Sequence, residues 1–96
     1  MSLLTVIATV VAKRESSRQL RSELLKLVEP TRREEGCINY TLHQDNEDPA
    51  VFIFYETWQS PVHLERRIAS EHYRAYAIAA ESLIAGKAVN KTTLIG

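Results

Sequence analysis

One cysteine, Cys37, in 96 residues leaves no partner for an intrachain disulfide. That usage fits a reducing compartment. A surplus of either charge is also missing, because twelve Lys and Arg balance twelve Asp and Glu. Without a basic excess the chain offers little to nucleic-acid phosphates or to an anionic membrane surface. Neither nucleic acid nor membrane is therefore an expected partner. Three glycines and three prolines mark no linker, and no repeat or low-complexity tract divides the chain. Residues 1–96 read as one domain. The apolar run near the start is interrupted by threonines and ends at Lys13-Arg14-Glu15, too short to span a bilayer. Met1–Thr5 lacks the basic start of a signal peptide. A soluble, cytoplasmic protein is the expectation.

Site signatures are sparse as well. Three scattered histidines and one cysteine make no ligand spacing, neither His-x-x-x-His nor a cysteine pair. No glycine-rich loop follows a strand, and no serine sits in a nucleophile elbow. The expectation is no metal and no cofactor.

What the chain does have is strong periodicity. Leu3–Ala12 is rich in Val, Ile and Thr and reads as a strand. Leu4, Val6, Ala8 and Val10 share one face, and Thr5, Ile7, Thr9 and Val11 the other, so both sides call for cover. Ser16 or Ser17 should cap the next helix, and Ser16 with Gln19 suggests a capping box. Leu20, Leu24, Leu27 and Val28 then recur at helical spacing. Pro30 should kink or restart this helix, and Gly36 should stop it. Cys37–Gln44 alternates, with Ile38, Tyr40 and Leu42 on one face. Val51–Trp58 alternates too, with Phe52, Phe54, Glu56 and Trp58 together. A short acidic link, Asp45 to Pro49, makes these two strands a hairpin. Ser60-Pro61 opens a helix as cap and first-turn proline. Ser70 caps a restart, whose stripe of Tyr73, Tyr76, Ala77, Ala80, Leu83 and Ile84 should run to Gly86. Ala88–Ile95 reads as the last strand.

The order strand, helix, strand, strand, helix, strand predicts an α+β fold, the ferredoxin-like βαββαβ arrangement with an antiparallel sheet and both helices on one face. The other face lacks cover within the chain. An exposed apolar face is unfavourable, so a homodimer packed sheet to sheet, as a dimeric α+β barrel, is expected.

The chemistry concentrates in Tyr55-Glu56-Thr57-Trp58 and Ser70-Glu71-His72-Tyr73. A carboxylate among aromatic residues must be paired or protonated, since bare burial of charge is costly. Glu56 can orient His72 or accept a substrate hydroxyl, with His72 as the base that Glu56 helps, or else it forms a structural ion pair with Arg67 or another Arg. His72 falls in the first turn of the restarted helix, where the helix N-terminus disfavours imidazolium and leaves a neutral base. Its bland alternative is a local backbone contact. Trp58 can stack on a flat ring or fill the core. Tyr40, Tyr73 and Tyr76 read mostly as core by the same logic. Arg67 can hold an anionic oxygen, or lie solvated beside Arg66. His43 and His63 read as surface, and Cys37 as a buried thiol.

Thr31-Arg32-Arg33-Glu34-Glu35-Gly36-Cys37-Ile38-Asn39-Tyr40, with Phe52–Trp58 and Ser70–Tyr73, resembles the antibiotic biosynthesis monooxygenase family, nearest its small quinol monooxygenase-like branch. The resemblance covers nearly the whole chain. It implies a dimeric α+β barrel with a pocket between sheet and helices in each subunit. It also implies oxygenation of phenols or quinols by O2, often without metal or flavin. Relatives on the scaffold degrade haem or isomerise a phosphorylated sugar. Two departures stand out: Arg67 occupies the place of a frequent helix histidine, and Glu34-Glu35-Gly36-Cys37 replaces Glu-Pro-Gly-Cys.

The expected function is thus a cofactor-independent monooxygenase acting on a phenolic or quinol-type small molecule. His72 and Glu56 are the catalytic candidates; Trp58, Phe54, Arg67 and Tyr73 are the substrate contacts. The alternatives are an isomerase of a small phosphorylated or carbonyl compound, and a non-catalytic binding dimer.

Overall fold

The computed structural model describes residues 3–96. Four strands form one antiparallel sheet: β1 (Leu4–Ala12), β2 (Cys37–Gln44), β3 (Val51–Trp58) and β4 (Ile84–Thr92), in the order β2-β3-β1-β4. Helix α1 (Ser17–Arg32) joins β1 to β2, while α2 (Pro61–Ile68) and α3 (Glu71–Ala80) join β3 to β4. This is the expected ferredoxin-like α+β fold.

The register stacks side chains in rows across the sheet. Tyr40, Glu56, Val6 and Lys91 align across β2, β3, β1 and β4. The next row is Leu42, Phe54, Ala8 and Val89, and the third is Gln44, Phe52, Val10 and Lys87. On this face Leu20, Leu24 and Leu27 of α1 bury against Val10, Tyr40, Phe52 and Phe54. A smaller cluster joins Trp58, Val6 and Leu64. The opposite face carries Ile7 and Tyr55, 37 % and 45 % exposed. No helix of the described residues is long and apolar enough to cross a membrane.

Several local expectations need correction. A short 3₁₀ turn over Arg14–Ser16 precedes α1, and the Ser16 side chain makes no cap hydrogen bond. Ser17 Oγ donates instead to the Pro49 carbonyl at 2.7 Å. Pro30 does not restart α1, which runs through it to Arg32. It lies in the last turn, where its missing N–H costs one bond near an end that frays anyway. Ile38 is half-exposed because the ladder shifts between Cys37 and Asn39, taking it out of alternation with Tyr40. The final strand starts at Ile84 rather than Ala88 and ends at Thr92. A 3₁₀ turn over Glu81–Leu83 ends the helical stretch before Gly86, which lies inside β4.

Other punctuation follows the sequence closely. Ser60 Oγ accepts the His63 N–H, and Pro61 is the first helical residue. Ser70 Oγ accepts from Tyr73 N and donates to the Arg67 carbonyl at 2.6 Å, splicing α2 to α3. Gly36 has φ 85°, the left-handed region that glycine tolerates.

Candidate functional site

Alternation puts Glu56 of β3 on the helix-facing side, between Phe54 and Trp58. The inner strand β1 contributes the small side chain of Ala8 to the neighbouring row, beside a hollow. The hollow is a cavity of about 130 Å³ between sheet and helices. Its floor includes Val6, Ala8, Phe54 and Glu56. Leu64, Arg67, Tyr73 and Tyr76 of α2 and α3 form its roof, and Lys87, Val89 and Lys91 line its β4 side.

Glu56 is 4 % exposed. Trp58 Nε1 donates to its Oε1 at 2.9 Å. Burial pushes the Glu56 carboxyl above its ordinary range, outweighing the Trp58 hydrogen bond and the Arg67 charge, which both pull it down. The result is a carboxylate more basic than one in water.

Arg67 is 5 % exposed. One guanidinium nitrogen donates to the Tyr40 hydroxyl at 2.6 Å. The guanidinium carbon lies 4.3 Å from the Tyr73 ring centre and 5.3 Å from that of Tyr40. Its Nε is buried with no hydrogen-bond partner. The solvated reading of Arg67 is therefore corrected: the chain turns it inward, where two aromatic rings receive its charge. Burial drives the Tyr40 phenol far above its normal range. Tyr76 is pushed up to about 12, again mainly by burial. Both hydroxyls stay protonated near neutrality.

The structure thus brings Glu56, Phe54, Arg67 and Tyr73 to one cavity. His72 is not on its wall. The imidazole Nε2 lies 3.3 Å from Glu34 Oε2 and 3.4 Å from Ser70 Oγ. The expected meeting of His72 with Glu56 across a hollow is therefore replaced by a meeting with Glu34, in the turn before β2. The first turn of α3 carries His72 toward that turn and Tyr73 into the cavity. Trp58 is also absent from the wall; it is wholly buried against Val6 and Leu64. Its contribution here is the hydrogen bond that orients Glu56.

Tyr40 is the residue that sequence reasoning treated only as core. Its hydroxyl fixes Arg67, and no local pattern announces a contact across 27 residues. His63, read as surface, is half-buried, with Nδ1 2.8 Å from Ser60 Oγ. His43 is exposed, as expected. Cys37 is partly rather than fully buried, and burial with the nearby Glu56 and Glu34 pushes its thiol up; this is an unreactive setting. Among the described residues no three His, Cys, Asp or Glu side chains group as a metal site.

Comparison with known proteins places this geometry in context. A Pseudomonas aeruginosa protein of known structure superposes with a TM-score of 0.96 at 33 % identity, covering 100 % of this chain and 97 % of the other. A crystal structure titled antibiotic biosynthesis monooxygenase gives 0.91 at 29 % identity, covering 97 % and 99 %. A Mycobacterium tuberculosis protein with a provisional monooxygenase name is 31 % identical over 75 residues, 78 % of this chain and 73 % of its own. An uncharacterised Synechocystis protein is 22 % identical over 82 residues, which is 85 % of this chain but 56 % of its own length. The sequence model of the antibiotic biosynthesis monooxygenase family matches residues 3–78. The chain belongs to the antibiotic biosynthesis monooxygenase family.

Proposed function

We propose that this protein is a monooxygenase that oxidises a phenolic or quinol-type ring with O2, without a cofactor, and that Glu56 is its base. The observation that carries the reading is a buried, basicity-raised carboxylate facing an aromatic-walled cavity beside an arginine. Glu56 takes the phenolic proton. The electron-rich phenolate faces Arg67, whose charge stabilises the new oxyanion. The ring passes an electron to O2, and the radical pair combines against Phe54 and Tyr73, screened from water. One oxygen atom enters the ring and the other leaves as water. The ring supplies every electron, so phenol plus O2 gives quinone plus water with no outside reductant.

Trp58 holds the carboxylate by its indole N–H. His72 acts at one remove, tying the start of α3 through Glu34 and so helping to hold Tyr73 in place. A second copy of the chain covers the outer sheet face around Ile7 and Tyr55, completing a dimeric barrel. The isomerase alternative draws on Arg67, a fixed cation suited to an anionic group. Oxygen-electrode traces with a panel of hydroquinones separate the two. Uptake that requires native protein and drops in Glu56→Gln supports the oxygenase, whereas turnover that persists without O2 supports the isomerase.

A further inference from the structure

The charges lining the cavity do not balance. Its wall carries three cations, Arg67, Lys87 and Lys91, against one carboxylate, Glu56. The ion pairs among the described residues join Lys26 with Glu23, Arg32 with Glu29, His63 with Glu35 and His72 with Glu34. None engages the three cavity cations. Arg67, 95 % buried by its 5 % exposure, keeps an unpartnered Nε inside.

Lys87 and Lys91 lie four residues apart on β4, with Val89 between them on the same face. Lysine on an edge strand commonly guards against pairing with another chain. Both lysines also share rows with the cavity lining, Lys91 with Val6 and Glu56, and Lys87 with Val10. Two strand spacings separate Lys91 from Glu56, roughly 10 Å between their backbones. One aromatic ring with a short side group spans that gap. The cavity volume of about 130 Å³ also suits a single ring, since benzene fills a void of roughly 150 Å³.

We propose that the cavity selects a single-ring phenol or hydroquinone bearing a carboxylate side group, with the phenolic oxygen between Glu56 and Arg67 and the carboxylate at the β4 mouth between Lys87 and Lys91. This deepens the oxygenase reading of the same site, but its binding half stands without the chemistry.

The test is anaerobic calorimetry of the full chain with 2,5-dihydroxyphenylacetate and with the corresponding neutral amide. The acid binds about tenfold more tightly than the amide, as two charge contacts together allow. In the double variant Lys87→Gln, Lys91→Gln the two ligands bind about equally, the acid having lost its preference. Both lysines are exposed, so this variant folds. Equal affinity of acid and amide for the native protein overturns the proposal. So does a preference that survives in the double variant, or a failure of both ligands to bind. Selective binding of the acid with no oxygen uptake in air sinks the oxygenase reading alone.

Discussion

Glu56 shows how one side chain's surroundings set its chemistry. An acid on a strand end in water ionises readily; here burial opposes the charge more strongly than Trp58 and Arg67 favour it. The consequence for stability has a definite sign. A carboxyl whose folded value is raised binds its proton more tightly when folded, so its contribution is present at low pH and is lost as pH rises through the raised value. Glu56→Gln keeps the shape and can still accept from Trp58 Nε1 while removing the charge. Its melting temperature should match that of the parent at about pH 4 and exceed it at about pH 8. A gap that does not widen with pH would contradict the burial argument. Arg67 is the counterpart. Sequence leaves it two readings, solvated beside Arg66 or turned inward as a substrate contact. The aromatic receptors Tyr40 and Tyr73, from β2 and α3, decide for the second orientation. Strand alternation puts Glu56 and Phe54 on one face, and helical spacing puts Tyr73 on the inner stripe of its helix; neither pattern shows that these faces border one cavity. His72 was misplaced because a spacing from Ser70 locates a residue on a helix turn but not the neighbour that turn faces.

At the scale of elements, the signals that the sequence displayed best were those with a local mechanism. Ser60-Pro61 and Ser70 cap as read, since a serine oxygen satisfies an N–H within its own turn. The errors arose where packing chose between local options. Ser16 has the right neighbours for a capping box, yet a 3₁₀ turn precedes the helix and Ser17 is drawn to Pro49. Ile38 fits the alternation until the bulge in β2 removes it. Gly36 joins α1 to β2 for two reasons. Its φ of 85° is unfavourable for a residue with a side chain, and an added Cβ would overlap His63 Cγ and lie 2.6 Å from His63 Cβ. The second contact is near the backbone root of His63, so rotating the ring does not relieve it. Gly36→Ala should therefore cost about 2–4 kcal/mol, from left-handed strain plus overpacking. Urea unfolding measures this, and a loss below about 1 kcal/mol would show that α2 yields without strain.

For the whole molecule, helices cover one side of the sheet and leave the other bare. Ile7 and Tyr55 are exposed there, with Val11, Val51 and Ile53 partly so. The alternation in β1 and β3 made this two-faced demand readable before any helix was placed. A second copy is the simplest cover, and Ile7→Asp should break it: light scattering coupled to size exclusion should report two chains for the parent and one for the variant. If the parent is itself a single chain at micromolar concentration, the dimeric barrel is wrong. The architecture also sets the proposed base on the sheet and the cavity's roof on the helices. β3 supplies a rigid row bearing Glu56, and the α2–α3 splice at Ser70 brings Arg67 and Tyr73 down over it.

The central claim is that Glu56, raised in basicity by burial, removes the phenolic proton. The pH dependence of kcat/KM for hydroquinone oxidation, measured as oxygen uptake, addresses it directly. The parent should show an ascending limb whose midpoint lies above the free-glutamate value of about 4.3. In Glu56→Gln that limb should vanish and the rate should fall by about 10²–10⁴-fold. An ascending limb and rate left intact in Glu56→Gln would contradict the account.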